Sequence, residues 1–311
     1  MNALLNVILP VFLVIGFGYW ARRSGLITDP AIDGVTRFAQ NFALPCLLFY
    51  NMATLDIANS FEPGIFLAFY SGAFACFLVG GIAAYTLFKR PPEDSVAIGF
   101  CCLFSNSLLL GIPIMERAYG SDALAGNFTI IALHSPILYG AGIATMEIVR
   151  ARGTGIAKIQ LARQILQSLI RQPLVIGILL GLTWNLTGLG LPGVLEGGLQ
   201  MMMRAALPAA LFGLGGVLCR YRPEGDGKVV AMICVLSLIV HPLIGYGIGR
   251  AVGLGVDQLR SVVVTASMAP GMNAFLFANL YGVAKRVSAT SVLVATALSL
   301  FSIWGWLHVL P

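Results

Sequence analysis

Charge is scarce in this chain. Only 10% of its 311 residues are Asp, Glu, Lys or Arg, while 58% are hydrophobic. Soluble domains carry roughly a quarter charged residues, so an ordinary soluble fold is excluded and a polytopic membrane protein is expected. No polar segment is long enough to fold as a separate soluble domain. Cysteine pairs of the CxxC type are missing too. Cys46, Cys76, Cys101, Cys102, Cys219 and Cys234 mostly fall in apolar stretches and read as small core residues, not as disulfides or metal ligands. No GxxxxGK[ST] phosphate loop, HExxH zinc motif or GxSxG nucleophile elbow is present. These absences argue against nucleotide hydrolysis by a phosphate loop, zinc-protease chemistry and serine hydrolysis. No metal or cofactor is expected.

Acids are also missing from the middle of every apolar segment. Asp29, Asp33, Asp56, Glu62, Glu93, Asp94, Glu116, Asp122, Glu147, Glu196, Glu224, Asp226 and Asp257 all fall near segment ends. A proton relay or sodium site built on a buried carboxylate needs one in the middle. The pattern suits a protein whose ligand brings the negative charge itself.

What is there is a series of apolar runs. We read ten spans, at 3–21, 31–53, 64–88, 95–117, 124–148, 172–189, 194–218, 229–252, 259–281 and 287–309. Each is about the ~20 residues needed to cross hydrocarbon, or somewhat longer. The first basic residue, Arg22, follows its apolar run, whereas a signal peptide puts charge in front. The first span is therefore expected to be retained. Loops after odd-numbered spans hold fourteen of the nineteen basic residues. By the positive-inside rule these loops are cytoplasmic and both termini lie outside. The net charge of +6 then reports topology and gives no reason to expect a nucleic-acid partner.

The longest loop, near residues 150–172, carries GIAKIQLARQILQSLIRQ, whose apolar spacing fits an amphipathic helix on the inner leaflet. It divides the chain into 1–150, a linker at 151–171, and 172–311. The two parts echo each other. Pro10 and Pro173, and Ala43-Leu44-Pro45 and Ala206-Leu207-Pro208, are each offset by 163; Tyr119-Gly120 and Tyr281-Gly282 are offset by 162. An odd number of spans per half turns the second copy upside down, as in the inverted repeats of secondary transporters. The expected fold is thus all-α: ten transmembrane helices as two inverted five-helix repeats.

Spans four and nine correspond, and both are interrupted. Span four holds Ser105, Asn106, Ser107, Gly111 and Pro113; span nine holds Ser267, Pro270, Gly271, Met272 and Asn273. Pro113 and Pro270 each remove an amide donor and push off a carbonyl one turn back, and Gly271 would let the chain turn. Paired breaks at membrane depth create new helix ends. Their free N–H groups suit a carboxylate, and their carbonyls suit a cation or a hydroxyl. Small and polar residues also serve close helix packing.

Three stretches carry a family resemblance. NSLLLGIPIMERAYG, Asn106 to Gly120, resembles the fourth-helix motif of the auxin efflux carrier family. TRFAQNFALPCLLF, Thr36 to Phe49, resembles its second helix, and APGMNAFLFANLYG, Ala269 to Gly282, its ninth. The resemblance covers essentially the whole chain. It implies a scaffold from helices 1, 2, 6 and 7, and a transport domain from helices 3–5 and 8–10, whose broken fourth and ninth helices cross at the site. It also implies elevator-type transport of small organic anions and, often, a homodimer. The family asparagine before Gly-x-Pro maps onto Asn106. Plant members place proline where this chain has Ser105, and their ninth-helix proline falls at Ala269.

Arg204, four residues before Pro208, lies near the middle of span seven, where an unpaired cation is costly. It reads either as a counter-ion for an anionic substrate or as a side chain that snorkels or pairs with helix-end carbonyls. His134 and His241 each sit beside or near a proline and read as residues that satisfy a neighbouring group, or as proton carriers. The expectation is a carrier of small carboxylates in a bacterial inner membrane. The alternatives are a sodium- or proton-coupled symporter of the bile-acid-carrier type, an intramembrane enzyme and a channel.

Overall fold

The structure is a computed structural model that describes residues 4–55, 62–150, 172–224 and 226–311. The expected amphipathic helix at 151–171 lies outside the described residues, as does Asp56. Among the described residues the structure is helical, with no strand and one isolated β-bridge.

The helices are α1 (Leu9–Arg23), α2 (Asp29–Phe38), α3 (Leu44–Ala53), α4 (Pro63–Thr86), α5 (Pro92–Leu103), α6 (Ile112–Tyr119), α7 (Ala125–Arg150), α8 (Pro173–Leu186), α9 (Gly193–Leu218), α10 (Gly227–Val235), α11 (His241–Ala251), α12 (Val256–Ala266), α13 (Met272–Tyr281) and α14 (Lys285–Val309). Among the described residues six continuous helical stretches are long and apolar enough to cross a membrane: Leu5–Arg23, Pro63–Thr86, Ala125–Arg150, Gly193–Leu218, Gly227–Ala251 and Lys285–Val309. The remaining expected spans are shorter or come in pieces. Expected spans four and nine are each split into two helices, and α8 covers only 14 residues.

Local sequence explains the boundaries. Proline occupies the first turn of α2, α4, α5 and α8, where its missing N–H is not needed. Acids sit in the first turns of α2, α5, α9 and α12, where the helix dipole favours them. The echoed Tyr-Gly pairs do one job twice. Gly120 (φ 87°) ends α6 and Gly282 (φ 77°) ends α13, conformations that favour glycine.

Four π-helical turns, Leu4–Ile8, Ala39–Ala43, Ser107–Gly111 and Leu236–Val240, each end two residues before a proline. The prolines are Pro10, Pro45, Pro113 and Pro242. Proline cannot donate and crowds the carbonyl four residues back. A widened turn in front of it lets the helix continue. Pro113 therefore does not break its helix, contrary to the expectation from sequence; the interruption lies earlier, at Phe104–Asn106.

The chain divides into two compact units. The first comprises described residues within 1–9, 62–162 and 221–311; the second, those within 10–61 and 163–220. In the second unit, glycines let backbones meet. A Cβ on Gly18 would stand 2.0 Å from the Phe212 carbonyl oxygen, and one on Gly215 would stand 1.9 Å from that of Ile15. Gly177 and Gly181 likewise seat α8 against Pro45 and Phe49. Asn185 Nδ2 donates to the carbonyls of Met52, Ala53 and Leu55 and so closes the end of α3. At the other end Asp29 accepts from Arg22 at 2.6 Å and from Arg220 at 2.8 Å, and Asp33 also accepts from Arg220 at 2.8 Å. The Arg22 hydrogen bond, followed by the charge of Arg22 and that of Arg220, holds the Asp29 carboxyl below its usual range.

In the first unit, α4, α5, α7 and α10–α14 surround a core that includes Phe69, Phe100 and Phe277, with Phe100 and Phe277 stacked at 4.1 Å. Asn127 Nδ2 donates to Thr265 Oγ1 at 2.8 Å, tying α7 to α12 where both side chains are fully buried. Leu78, Ile82, Tyr85 and Phe301 are exposed on this unit, and Phe17, Trp20 and Leu180 on the other. Such faces suit lipid, and packing between helices supplies the specificity.

Candidate functional site

The two interruptions meet inside the first unit. α5 ends at Leu103 and α12 at Ala266. The chain leaves helical geometry on each side, through a turn at Ser267 on the second, and Ser105 and Pro270 form an antiparallel bridge. Asn106 N–H donates to the Ala269 carbonyl at 2.8 Å, and Gly271 N–H donates to the Phe104 carbonyl at 2.8 Å. Ser105 and Pro270 themselves exchange no backbone bond. They are the non-hydrogen-bonded pair of the ladder, so the bridge does not miss the amide that proline lacks.

Helix resumes immediately on both sides. The Asn106 carbonyl accepts from Leu110 N–H at 3.1 Å and Gly111 N–H at 3.2 Å, starting the π-turn that leads into α6. Gly271, extended at φ −72° and ψ 162°, precedes α13. No side chain caps either start. The leading amides, including those of Met272 and Asn273, occupy positions with no intrahelical acceptor. Two helix N-termini, each carrying about half a positive charge, thus open beside one backbone junction.

The sequence-predicted residues fall as follows. Ser105, Asn106 and Ser107 are all buried, with Asn106 only 6% exposed. The hydroxyls of Ser105 and Ser107 lie 2.8 Å apart and bond each other. Asn106 Nδ2, by contrast, is buried and has no hydrogen-bond partner among the described residues. Ser267 Oγ donates to Val264 O in its own helix and is thereby occupied. Gly111 packs across the junction: a Cβ there would stand 3.6 Å from Met268 Cγ. Pro113 is buried one turn further along. A Cβ on Gly271 would meet Asn106 Cα at an ordinary 3.5 Å, so this glycine supplies neither a left-handed turn nor an obligatory close approach. Met272 and Asn273 are half-buried.

Arg204 is not among this group. It lies on α9 in the second unit, with an exposed side chain and no hydrogen bond or ion pair among the described residues. The second unit also holds a hollow of about 510 Å³ lined by Cys46, Pro192, Val194, Leu195, Gly198, Leu199 and Met202. Its walls are apolar and offer an anion nothing.

Two residues near the junction were not placed there by the sequence. His134 Nε2 lies 3.2 Å from the Ser105 carbonyl oxygen and 3.5 Å from Ser107 Oγ. Tyr139 donates its hydroxyl to the Asn273 carbonyl at 3.3 Å. The described acids lie at or near helix ends or in connections. Among the described residues no group of three His, Cys, Asp or Glu is arranged to hold a metal ion. The site is a set of neutral donors.

A family profile described as "Membrane transport protein" matches residues 3–307. The chain belongs to the auxin efflux carrier family of membrane transport proteins. Three relatives agree along nearly their whole lengths. The uncharacterized transporter YfdV of Escherichia coli K12 is 21% identical over 97% of this chain and 96% of its own. A putative malonate transporter of Rhizobium meliloti is 21% identical over 100% and 97%. Auxin efflux carrier component 5 of Arabidopsis thaliana is 25% identical over 95% and 93%. The family is one of transporters, and this chain is a membrane transporter.

Proposed function

We propose that the protein is a secondary carrier of small organic anions and that their carboxylate binds at the junction of residues 104–106 and 267–271. The observation that carries this reading is Asn106 Nδ2, a buried amide donor without a partner among the described residues, beside two uncapped helix starts. An unpaired buried donor costs about 1–3 kcal/mol. That cost is offset when a carboxylate arrives, and a hydrogen bond to a charged acceptor is worth more than a neutral one. The amides of Met272 and Asn273 supply further donors, and the dipoles of the two helix starts favour negative charge. No side-chain cation of the first unit is needed.

In this reading the ten expected spans form two inverted five-helix repeats, with helices four and nine interrupted and crossing. The first unit is the moving transport domain and the second the scaffold of an elevator-type carrier. The matching Tyr-Gly stops and the matched helix–stub–helix pattern support it. The membrane is a bacterial inner membrane, with the termini outside by the distribution of basic loops. Relatives named for malonate and auxin point to carboxylates. The test is uptake of radiolabelled malonate and indole-3-acetate into proteoliposomes. Saturable accumulation of chemically unaltered solute is expected for at least one. Unsaturable flux or an altered product removes the carrier reading.

A further inference from the structure

The polar hold on the junction comes from one helix, α7. His134, 4% exposed, reaches the Ser105 carbonyl through Nε2. A carbonyl oxygen only accepts, so Nε2 must carry the proton. Nδ1 is buried and faces no partner among the described residues, and the ring is set between Phe104 at 4.7 Å and Phe69 at 5.6 Å. Both features fit the neutral Nε2–H tautomer. Five residues on, Tyr139 holds the Asn273 carbonyl in the first turn of α13. Its ring lies against Phe104 at 5.3 Å and Phe100 at 5.3 Å. The last helix of the second half, α14, makes no such contact. Its Thr296 and Ser299 hydroxyls turn back on α14 carbonyls, and Ser288 takes the Cys101 thiol.

We propose that His134 and Tyr139 are positioning residues: α7 clamps the residue before Asn106 on one segment and the first turn of α13 on the other, fixing the gap between the donors that take the anion. The proposal rests on the anion reading above. Among the described residues two backbone hydrogen bonds join the segments at the junction, and a pair of such bonds leaves a hinge. The two α7 contacts, placed on opposite segments, remove that freedom. Donors held at the right separation bind without an ordering cost, so loss of either contact weakens anion binding more than it weakens the fold.

The test uses the full-length protein with radiolabelled malonate in proteoliposomes, together with 15N spectra of histidine-labelled protein. His134→Leu is expected to raise KM about tenfold with little change in kcat, the scale of one lost orienting hydrogen bond. His134→Gln, which keeps an N–H donor, is expected to recover most of that loss, and Tyr139→Phe to raise KM severalfold. Thermal stability without malonate should change little in any variant. In wild-type protein the signal lost in His134→Gln should report a protonated Nε2 and a bare Nδ1. Unchanged KM in both His134→Leu and Tyr139→Phe overturns the clamp, as does a proton on Nδ1. If wild-type protein carries no anion saturably, the functional reading fails instead, and the tautomer measurement still judges the His134 contact.

Discussion

Asn106 and Ala269, 163 residues apart in sequence, are joined by a 2.8 Å backbone hydrogen bond at the point where two helices stop. That bond and its twin from Gly271 to Phe104 bring four helix ends together. The arrangement makes the backbone at Gly271 more demanding than its side-chain space. Gly271→Ala, whose Cβ meets only ordinary contacts, is expected to retain near wild-type stability and transport. Gly271→Pro removes the N–H that reaches Phe104, leaves that buried carbonyl without its partner and is expected to cost about 1–3 kcal/mol. Thermal melts in detergent distinguish the two, and equal melting temperatures would contradict the bridge.

The buried Asn127–Thr265 pair makes a second prediction. Thr265→Val leaves an Asn127 donor unpaired and is expected to cost about 1–3 kcal/mol. The double variant Asn127→Leu with Thr265→Val is expected to recover part of that loss, because it removes both partners. An additive double variant would show that the two side chains do not act as a pair.

In the second unit, α1 and α9 are spaced by glycine. Gly18→Ala and Gly215→Ala place a methyl within about 2 Å of a facing carbonyl oxygen, and each is expected to destabilise by about 1–3 kcal/mol through forced separation. Gly16→Ala meets open space and serves as the control on the same helix. Melting temperatures of the three variants check the claim.

Asp29 sets a pH dependence. Its carboxyl is held below its usual range, so its contribution to stability is present above the unfolded value of about 3.9 and is lost as pH falls through the lower folded value. Wild-type protein is expected to melt above Asp29→Asn at neutral pH, with the gap closing below about pH 4. A gap that stays constant into acid would place the effect elsewhere.

Much of this architecture was legible in the sequence. The apolar runs announced a membrane protein, and the Ser105-Asn106-Ser107 and Pro270-Gly271 clusters marked the two interruptions. The first break is displaced from where its proline points. A widened turn before Pro113 absorbs it, and the extended residues begin at Phe104. The signal was present: Ser and Asn immediately before an apolar helical run are helix-starting residues. Pro-Gly in sequence suggests a sharp turn at Gly271, yet the backbone there is extended. The roles of His134 and Tyr139 had no local signature, because both depend on carbonyls 29 and 134 residues away. Arg204 stood out by its cost in hydrocarbon, and the structure gives it no partner among the described residues.

The most direct measurement is malonate counterflow in proteoliposomes containing wild-type protein or Asn106→Ala, matched for insertion and melting temperature. The account predicts saturable exchange in wild type and its loss, or a KM raised at least about tenfold, in the variant. Wild-type kinetics from Asn106→Ala would contradict the account, since the buried side-chain donor left open at the junction among the described residues would then play no part in holding the anion.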